Sequence, residues 1–319
     1  MKEKAIGSLL AIEPLAPQVI VSLLQAAKRM DLRRPRPLLK GRRVALLFYE
    51  ASTRTRVSFE IAAKMLGAHT TLITSVASSI EKGESLIDTG RTLRAIGADI
   101  IVIRHPSSGA PNLLAGDLDI PIVNAGDGMH EHPSQALLDA FTILQHKRKL
   151  AGLKIVTVGD IYHSRVARSD VHLFSKLGAK VTLCGPEPLL PATAHALAPG
   201  IRLVYNMDEA IEGADVVMML RVQKERLAGL EIETGEYIGR YQLTAQRLRK
   251  AKKDALVMHP GPMIRGMELT DEVADGAQSV ITEQAANGVK VRMAVLSRLL
   301  SPDKRNSGAR RGPQGGRHE

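Results

Sequence analysis

The chain contains no tryptophan and only one cysteine, and aromatic residues occupy 3% of its 319 positions. The single cysteine, Cys184, excludes an internal disulfide and a cysteine-rich metal site. Such sparing use of cysteine suits a reducing compartment, so a cytoplasmic location is expected. The shortage of aromatic rings argues against a surface on which nucleic-acid bases stack, and no nucleic-acid partner is expected.

Long hydrophobic runs are also missing. No apolar segment is long enough to cross a bilayer, and the N-terminal stretch has an early acidic residue and no extended apolar core, so neither a membrane partner nor a signal peptide is expected. Apolar content of 44% and charged content of 24% are typical of a globular protein. A chain of this length is expected to form about two domains, each with its own core.

Several nucleotide-binding and hydrolase motifs are absent. The turn at Gly159 begins like a dinucleotide-binding loop, but Asp160 follows and no further glycine completes G-x-G-x-x-G. The signatures of nucleotide hydrolysis (G-x-x-x-x-G-K-[ST]) and of serine hydrolases (G-x-S-x-G) do not occur either. His130 and His132 have the spacing of a zinc pair but need a third ligand from elsewhere, so neither a metal nor an organic cofactor is expected.

Acidic residues are fewer than basic residues. The 44 lysines and arginines outnumber 33 acids, which gives a net charge of +11. Segment 302–319 holds five of those cations and two acids, so it contributes +3 and the body +8. This segment is rich in glycine, proline and arginine and is predicted to be a disordered tail. Once nucleic acid and membranes are set aside, a basic body favours small anionic substrates.

Short apolar runs alternate with helix-period segments along most of the chain. The strand-like runs are 43–48, 70–74, 99–103, 120–124, 154–158, 179–184, 215–220 and 255–258, and the predicted helices lie near 54–66, 84–96, 133–147, 164–177 and 244–252. Alternation of this kind predicts an α/β fold of parallel sheets with helices on both faces. The polar stretch 146–153 marks the break, so we expect two doubly wound parallel-sheet domains of similar size.

The conspicuous polar groups of the chain follow strand-like runs. These groups are 52–54, 104–105, 124–135, 159–165, 221–226 and 259–266. In doubly wound sheets, ligands bind beyond the carboxyl ends of the strands. We therefore expect functional residues at strand ends rather than within helices.

The stretch FYEASTRTRVSFE (48–60) places hydroxyls and arginines where a strand gives way to a helix. Ser52 lies at the expected helix cap, and Thr53, Arg54 and Thr55 fill the first turn. An arginine at this positive helix end costs up to about 1 kcal/mol, whereas each charge-assisted hydrogen bond to an anion returns about 1.5–3 kcal/mol. The pattern favours a phosphate cradle, with an ordinary serine-capped helix as the alternative.

Four further residues have both a functional and an ordinary interpretation. His132 lies at a predicted helix start, where the dipole favours a neutral imidazole able to polarise a carbonyl, but a capping or core histidine would show the same pattern. Arg165 and Arg221 follow strands of the second domain and together suit a dicarboxylate, but surface ion pairs would use them equally well. Lys82, in the serine-rich loop 75–86, is either an anion ligand or solvated charge.

Taken together, the motifs resemble those of the catalytic chains of the aspartate carbamoyltransferase family over nearly all of residues 1–301. The matching stretches, in order, are FYEASTRTRVSFE, SSIEKGES, VIRHP, NAGDGMHEHPSQALLD, GDIYHSRVARS, MLRVQKERL and VMHPGPMIRG. STRTR followed by HPSQ is typical of carbamoyltransferases in general, whereas RVQKER and HPGPM point to the aspartate enzymes. The SMG and HCLP motifs of ornithine enzymes do not occur.

The resemblance implies an enzyme of de novo pyrimidine biosynthesis that transfers the carbamoyl group of carbamoyl phosphate to the α-amine of L-aspartate. It implies that residues 1–147, completed by a returning C-terminal helix at 284–301, form the carbamoyl phosphate-binding domain. Residues 148–283 then form the aspartate-binding domain. The amine attacks the carbamoyl carbon directly, so neither a metal nor a protein nucleophile is implied.

The resemblance also assigns roles to individual residues. The phosphate is held by Ser52, Thr53, Arg54 and Thr55, the carbamoyl group by Thr55, Arg104, His132, Gln135, Gly261 and Pro262, and aspartate by Arg165, Arg221 and Gln223. The catalytic roles fall to Arg54, Thr55, Lys82, Arg104 and His132. Ser78 and Lys82 are expected to reach the site from the neighbouring chain of a homotrimer, with Lys82 contacting both substrates.

Other assemblies and functions remain as alternatives. A regulatory chain or a dihydroorotase could complete a larger assembly. A carbamoyltransferase for ornithine and a catalytically silent scaffold are the competing functions, disfavoured by the paired arginines and by the intact catalytic positions. Ile264 stands where bacterial relatives usually have asparagine, which removes side-chain donors from that loop. Gly261, Pro262 and Arg265 remain, so no loss of activity is expected.

Overall fold

The computed structural model describes residues 7–74, 83–230 and 232–300 of the chain. Its first half contains α1 (Pro17–Lys28), β1 (Arg43–Phe48), α2 (Thr53–Met65), β2 (His69–Thr74), α3 (Leu86–Ala95), β3 (Ile100–His105), α4 (Ala110–Asp117), β4 (Ile122–Asp127) and α5 (Pro133–His146). Its second half contains β5 (Lys154–Val158), α6 (Arg165–Lys176), β6 (Lys180–Cys184), β7 (Arg202–Val204), α7 (Met207–Ile211), β8 (Val216–Met219), α8 (Lys224–Gly229), α9 (Thr234–Tyr241), α10 (Ala245–Leu248), β9 (Leu256–Met258), α11 (Asp271–Ala274) and α12 (Ile281–Leu300).

Two parallel sheets organise these elements. Among the described residues, the first sheet has the strand order β2-β1-β3-β4 and the second β7-β6-β5-β8-β9, with every neighbouring pair parallel. Strands β1, β4 and β8 are buried along nearly their whole length because helices cover both faces of the sheets. The predicted α/β fold of two doubly wound parallel sheets is confirmed.

The structure differs from the sequence prediction at several elements. Strand β7 has only three residues, too few for a hydrophobic period to be visible. The helix predicted over 244–252 spans only Ala245–Leu248, because Thr244 caps its start and the chain must enter β9 shortly afterwards. Helices α1 and α4 follow or contain prolines and were not predicted.

The C-terminal helix α12 returns to the first domain, as predicted, and packs against α1, α2 and α5. On the face that packs there, Met293, Leu296 and Leu300 are buried and Val289 is partly buried. One core cluster joins this helix to one face of both sheets, and two other clusters fill the opposite faces. Among the described helices, none is both long and apolar enough to cross a membrane.

Candidate active site

A cavity of about 840 Å³ lies at the carboxyl ends of strands from both sheets. It is lined by every predicted site residue that the structure describes: Ser52, Thr53, Arg54, Thr55, Arg104, His132, Gln135, Arg165, Arg221, Gln223, Gly261 and Pro262. The predicted residues Ser78 and Lys82 lie outside the described residues. The fold therefore brings together side chains that the sequence distributes over two hundred positions, from both halves of the chain.

The start of α2 forms one wall of the cavity. Ser52 is its N-cap, as predicted, but among the described residues its side chain makes no capping hydrogen bond. The Ser52 hydroxyl and the first-turn N–H groups are therefore available to a ligand, and the helix dipole favours an anion at this place. Arg54 adds a full positive charge. These are the features that a phosphate cradle needs.

Glu50 joins two arginines that come from different domains. Its Oε2 lies 2.7 Å from Nη2 of Arg165 and 3.2 Å from Nε of Arg104. The first contact is also a hydrogen bond, whereas the second has only the distance of an ion pair. Burial, followed by the nearby Arg165, lowers the pKa of Arg104 to about 10, so this guanidinium stays charged at pH 7. The sequence analysis did not identify Glu50. Its position directly before a cationic loop could have indicated that its carboxylate pairs with an arginine.

His132 is the N-cap residue of α5, as predicted, and only 3% of its surface is exposed. Its Nε2 lies 3.4 Å from Oγ1 of Thr55, and its backbone N–H donates to Oγ of Ser169 at 2.8 Å. Burial holds the pKa of His132 well below its usual range, and the nearby Arg104 adds to this effect. The imidazole is therefore neutral at pH 7, as predicted, but burial rather than the helix dipole is the leading cause.

His259 shapes the loop on the opposite wall. Its Nδ1 accepts the N–H of Gly261 at 2.8 Å, and its own N–H donates to Oε1 of Gln284 at 3.0 Å. Burial and the adjacent Arg54 and Arg221 lower the pKa of His259 to about 3. Gly261 has a left-handed φ of +72°, and a Cβ there would lie 2.6 Å from Cζ of Arg54. Glycine therefore lets this loop approach Arg54 without displacing its guanidinium.

The loop around Ile264 is held by Glu268 instead of by an asparagine side chain. Glu268 is fully buried, and its Oε2 accepts the N–H of Ile264 at 2.6 Å. Its Oε1 accepts the N–H of Val222 at 3.1 Å, between the cavity residues Arg221 and Gln223. One buried carboxylate therefore connects two loops of the cavity. The Ile264 side chain packs against the core of the second domain.

On the second-domain side of the cavity, the start of α6 positions Arg165. Ser164 caps α6 by accepting from the N–H of Ala167 at 3.1 Å, which sets Arg165 at the first position of the helix. The Arg165 side chain passes over Gly126, where a Cβ would lie 3.2 Å from its Nε. Arg165 therefore reaches back across the cavity to the first domain.

Helix α12 supplies cavity residues that the sequence analysis did not identify. Gln284 and Arg292 both line the cavity, and both are nearly fully buried. The Arg292 guanidinium lies over the Phe59 ring, 5.0 Å from its centroid. Burial lowers the pKa of Arg292 to about 10, although Asp139 opposes this shift. These residues belong to a helix far along the chain, so only its return to the first domain reveals them.

The comparisons with known proteins identify the class to which this fold and cavity belong. Residues 8–145 match the family profile described as aspartate/ornithine carbamoyltransferase, carbamoyl-P binding domain, and residues 151–299 match the one described as aspartate/ornithine carbamoyltransferase, Asp/Orn binding domain. The chain belongs to the aspartate/ornithine carbamoyltransferase family. Within it, the sequence is 65% identical over 301 residues to the aspartate carbamoyltransferase catalytic subunit of Koribacter versatilis, covering 94% of this chain and 99% of that one.

Further relatives and solved structures that resemble this chain are also carbamoyltransferases. The aspartate carbamoyltransferase catalytic subunit of Solibacter usitatus is 53% identical over 92% of this chain and 99% of its own length. Among solved structures, ornithine carbamoyltransferase from Pyrococcus furiosus superposes with a TM-score of 0.83 at 29% identity, covering 95% and 100% of the two chains. Aspartate transcarbamoylase from Trypanosoma cruzi in complex with carbamoyl aspartate and phosphate gives 0.81 at 32% identity, covering 92% and 95%. The resemblance to aspartate carbamoyltransferase catalytic chains is confirmed.

Proposed function

We propose that this chain is an enzyme that transfers the carbamoyl group of carbamoyl phosphate to the α-amine of L-aspartate. The products are N-carbamoyl-L-aspartate and phosphate, and the reaction belongs to de novo pyrimidine biosynthesis. The observation that carries this proposal is a single cavity with a helix start and Arg54 on one side and Arg165 and Arg221 on the other. The 65% identity to a catalytic subunit of the aspartate enzyme supports it.

The first wall holds carbamoyl phosphate. The phosphate lies at the start of α2, where Ser52, Thr53 and Thr55 offer N–H groups and hydroxyls and Arg54 offers its guanidinium. The carbamoyl oxygen faces Arg104, the neutral His132 and Thr55. The carbamoyl amide faces Gln135 and the backbone carbonyls of Gly261 and Pro262.

The second wall holds aspartate. Arg165 and Arg221 bind its two carboxylates and Gln223 completes the pocket, so an ornithine side chain would bring a cation against two cations. The amine of aspartate forms a bond to the carbamoyl carbon while negative charge grows on the carbonyl oxygen, where Arg104, His132 and Thr55 form an oxyanion hole. The carbon–oxygen bond to phosphate then breaks, and the phosphate takes the proton that the amine loses. Holding the two substrates face to face supplies much of the rate.

Activity with two amines tests this assignment. The purified protein is incubated with carbamoyl phosphate and either L-aspartate or L-ornithine, and products are separated by mass. Carbamoyl aspartate is the expected product, whereas citrulline alone would reject the proposal. Arg54→Ala should abolish turnover. Arg56→Ala, on the same helix but outside the cavity lining, should keep it.

The proposal extends to the larger organisation of the protein. Residues 1–147 with the returning C-terminal helix bind carbamoyl phosphate and residues 148–283 bind aspartate, whereas the predicted tail 302–319 lies outside the described residues. The chain works in the cytoplasm as a homotrimer whose sites are shared, with Ser78 and Lys82 entering from the neighbouring subunit. A regulatory chain or a dihydroorotase could join this unit.

Mixed trimers test the shared site. Lys82→Ala and Arg54→Ala proteins should each be nearly inactive, because each lacks one half of every site. Mixing them under conditions that exchange subunits should restore part of the activity, because some sites then combine an intact Arg54 with an intact Lys82. Absence of recovery after subunit exchange has been verified by native mass spectrometry would rule out a contribution across the interface.

A further inference from the structure

A buried carboxylate lies directly behind the carbamoyl side of the cavity. Asp139, on α5, has no exposed surface. Its Oδ1 accepts hydrogen bonds from Nε2 of Gln135 at 2.9 Å and from Nε2 of Gln284 at 2.6 Å. Both glutamines line the cavity, one from α5 itself and one from α12. Asp139 is thus the meeting point of two cavity side chains without being a lining residue itself.

A second buried carboxyl group lies beside the first. Asp170, on α6, is also fully buried, and it interacts directly with Asp139. Two carboxylates in contact in a buried place cannot both be ionised, so the pair shares a proton. Burial raises the pKa of both groups, but the two glutamine donors oppose the rise at Asp139 only. The pKa of Asp139 is raised to about 7 and that of Asp170 well above its ordinary value, so Asp170 holds the shared proton more firmly.

Oδ1 of Asp139 accepts from the amide nitrogens of both glutamines, which fixes the orientation of both amides. Gln284 confirms this independently, because its Oε1 accepts the N–H of His259 at 3.0 Å while its Nε2 donates to Asp139. In Gln135 the same constraint commits Nε2 to Asp139 and leaves Oε1 as the acceptor for the cavity that this residue lines. This Oε1 can accept a hydrogen bond from an N–H group of a ligand but cannot form one with a methyl group.

We infer that Asp139 is a positioning residue that holds Gln135 with its carbonyl oxygen towards the substrate and so selects a carbamoyl group over an acetyl group. The inference deepens the proposed function and rests on it. The two acyl groups have nearly the same shape, so shape cannot distinguish them. They differ in that the carbamoyl group has NH2, which donates hydrogen bonds, and the acetyl group has CH3, which does not. A site built to bond an N–H discriminates strongly against a ligand that lacks one, because its buried polar group then stays unpaired.

Two stable ligands isolate this effect. Phosphonoacetamide and phosphonoacetone differ only in NH2 against CH3, and their dissociation constants can be measured by calorimetry on the full-length protein. In the unaltered protein phosphonoacetamide should bind at least about tenfold more tightly than phosphonoacetone. The difference is expected because the amide forms one hydrogen bond with the Gln135 oxygen, whereas the ketone leaves that buried acceptor unpaired. Asp139→Leu, which removes the acceptor but keeps a branched side chain with the same number of heavy atoms, should reduce this preference severalfold while leaving phosphonoacetone affinity within about twofold.

Two further variants distinguish positioning from a general structural role. Asp139→Asn keeps an oxygen for the two glutamines and can turn its amide nitrogen to Asp170, so it should restore most of the preference. In a Gln135→Leu background, Asp139→Leu should have no additional effect on the preference, because Asp139 acts through Gln135. If Asp139→Leu does not purify as a folded protein, Asp139→Ala, which leaves room for repacking, takes its place.

The experiments distinguish failure of this inference from failure of the proposed function. Equal weakening of both ligands by Asp139→Leu, or an unchanged preference, would overturn the inference, and so would a further loss in the Gln135→Leu background. Failure of the unaltered protein to form carbamoyl aspartate would overturn the proposed function instead. The role of Asp139 would then still be decided by the ratio of the two dissociation constants, which requires no turnover.

Discussion

Burial and charge together set the protonation of the side chains around the cavity. His132 and His259 are buried beside arginines, and both effects lower the pKa of an imidazole. Arg104 is also shifted downward, yet its pKa of about 10 leaves it charged at pH 7. The cavity therefore presents fixed cations and neutral imidazole donors at the same pH, a combination suited to a doubly charged phosphate next to a polarised carbonyl.

The low pKa of His259 predicts a dependence of stability on pH. Its pKa is about 3 in the folded protein against 6.5 ordinarily, so between these values the unfolded chain binds one more proton. The free energy of unfolding should therefore fall as the pH is lowered from 6.5 towards 3, by about 1.4 kcal/mol per pH unit from this residue. His259→Asn, whose Oδ1 can accept the same N–H of Gly261, should remove that share of the slope. Urea unfolding of both proteins between pH 4.5 and 7.5 measures it, and equal slopes would contradict the prediction.

Gly261 provides a prediction about the approach of its loop to Arg54. In Gly261→Ala the new Cβ would lie 2.6 Å from Cζ of Arg54, so the guanidinium must move. Loss of one charge-assisted hydrogen bond to phosphate should raise the KM for carbamoyl phosphate by at least about tenfold. Gly266→Ala is the matched control, because Gly266 also has a left-handed φ, +77°, but no described atom lies within 4 Å of its Cβ position. A similar KM in both variants would show that backbone strain alone is responsible.

At the scale of elements, the best-predicted features were continuous apolar runs and a helix start with a clear cap residue. The runs that became β1 and β5 were predicted with their observed bounds, because a buried parallel strand is a continuous apolar run between polar flanks. The start of α2 was predicted from its cap residue, which depends only on neighbours within one turn. Short strand β7 was missed because local propensity decides little over three residues.

Helix α12 packs against α1, α2 and α5 of the first domain, and Leu296 lies fully buried on it. Leu296→Ala should lower the free energy of unfolding by about 3 kcal/mol, since it removes buried methyl groups and leaves a cavity. Lys290→Ala, partly exposed on the same helix, should change it by less than about 0.5 kcal/mol. Chemical denaturation followed by circular dichroism gives both values. A small effect of Leu296→Ala would mean that the helix contributes little to the core.

At the scale of the whole molecule, the cavity belongs to neither sheet alone. Its walls come from the strand ends of both, and one core cluster continues from the first sheet to the second through α5, α6 and α12. A ligand that fills both walls therefore stabilises the two halves together. The net charge of +11 suits two anionic substrates, since a positive potential raises their local concentration.

N-Phosphonacetyl-L-aspartate carries both ligand groups in one molecule and tests this coupling. At 100 times its dissociation constant it should stabilise the folded protein by about 2.7 kcal/mol. Thermal unfolding should show one transition moved to higher temperature, and small-angle scattering should show a smaller radius of gyration as the domains close. Succinate alone, which offers only the dicarboxylate, should have a weaker effect. An unchanged melting profile would contradict binding at the shared cavity.

The sequence by itself determined the fold class and the set of polar loops that meet at strand ends, whereas the return of the C-terminal helix was implied by the family resemblance. The fold class and these loops follow from hydrophobic period, caps and strand–helix alternation, all of which are set by residues close together in the chain. Only the tertiary structure decided that Glu50 pairs with two arginines, that burial keeps His132 neutral and that Asp139 orients Gln135. Those properties depend on which distant groups surround a side chain and how completely water is excluded, and local sequence patterns contain neither.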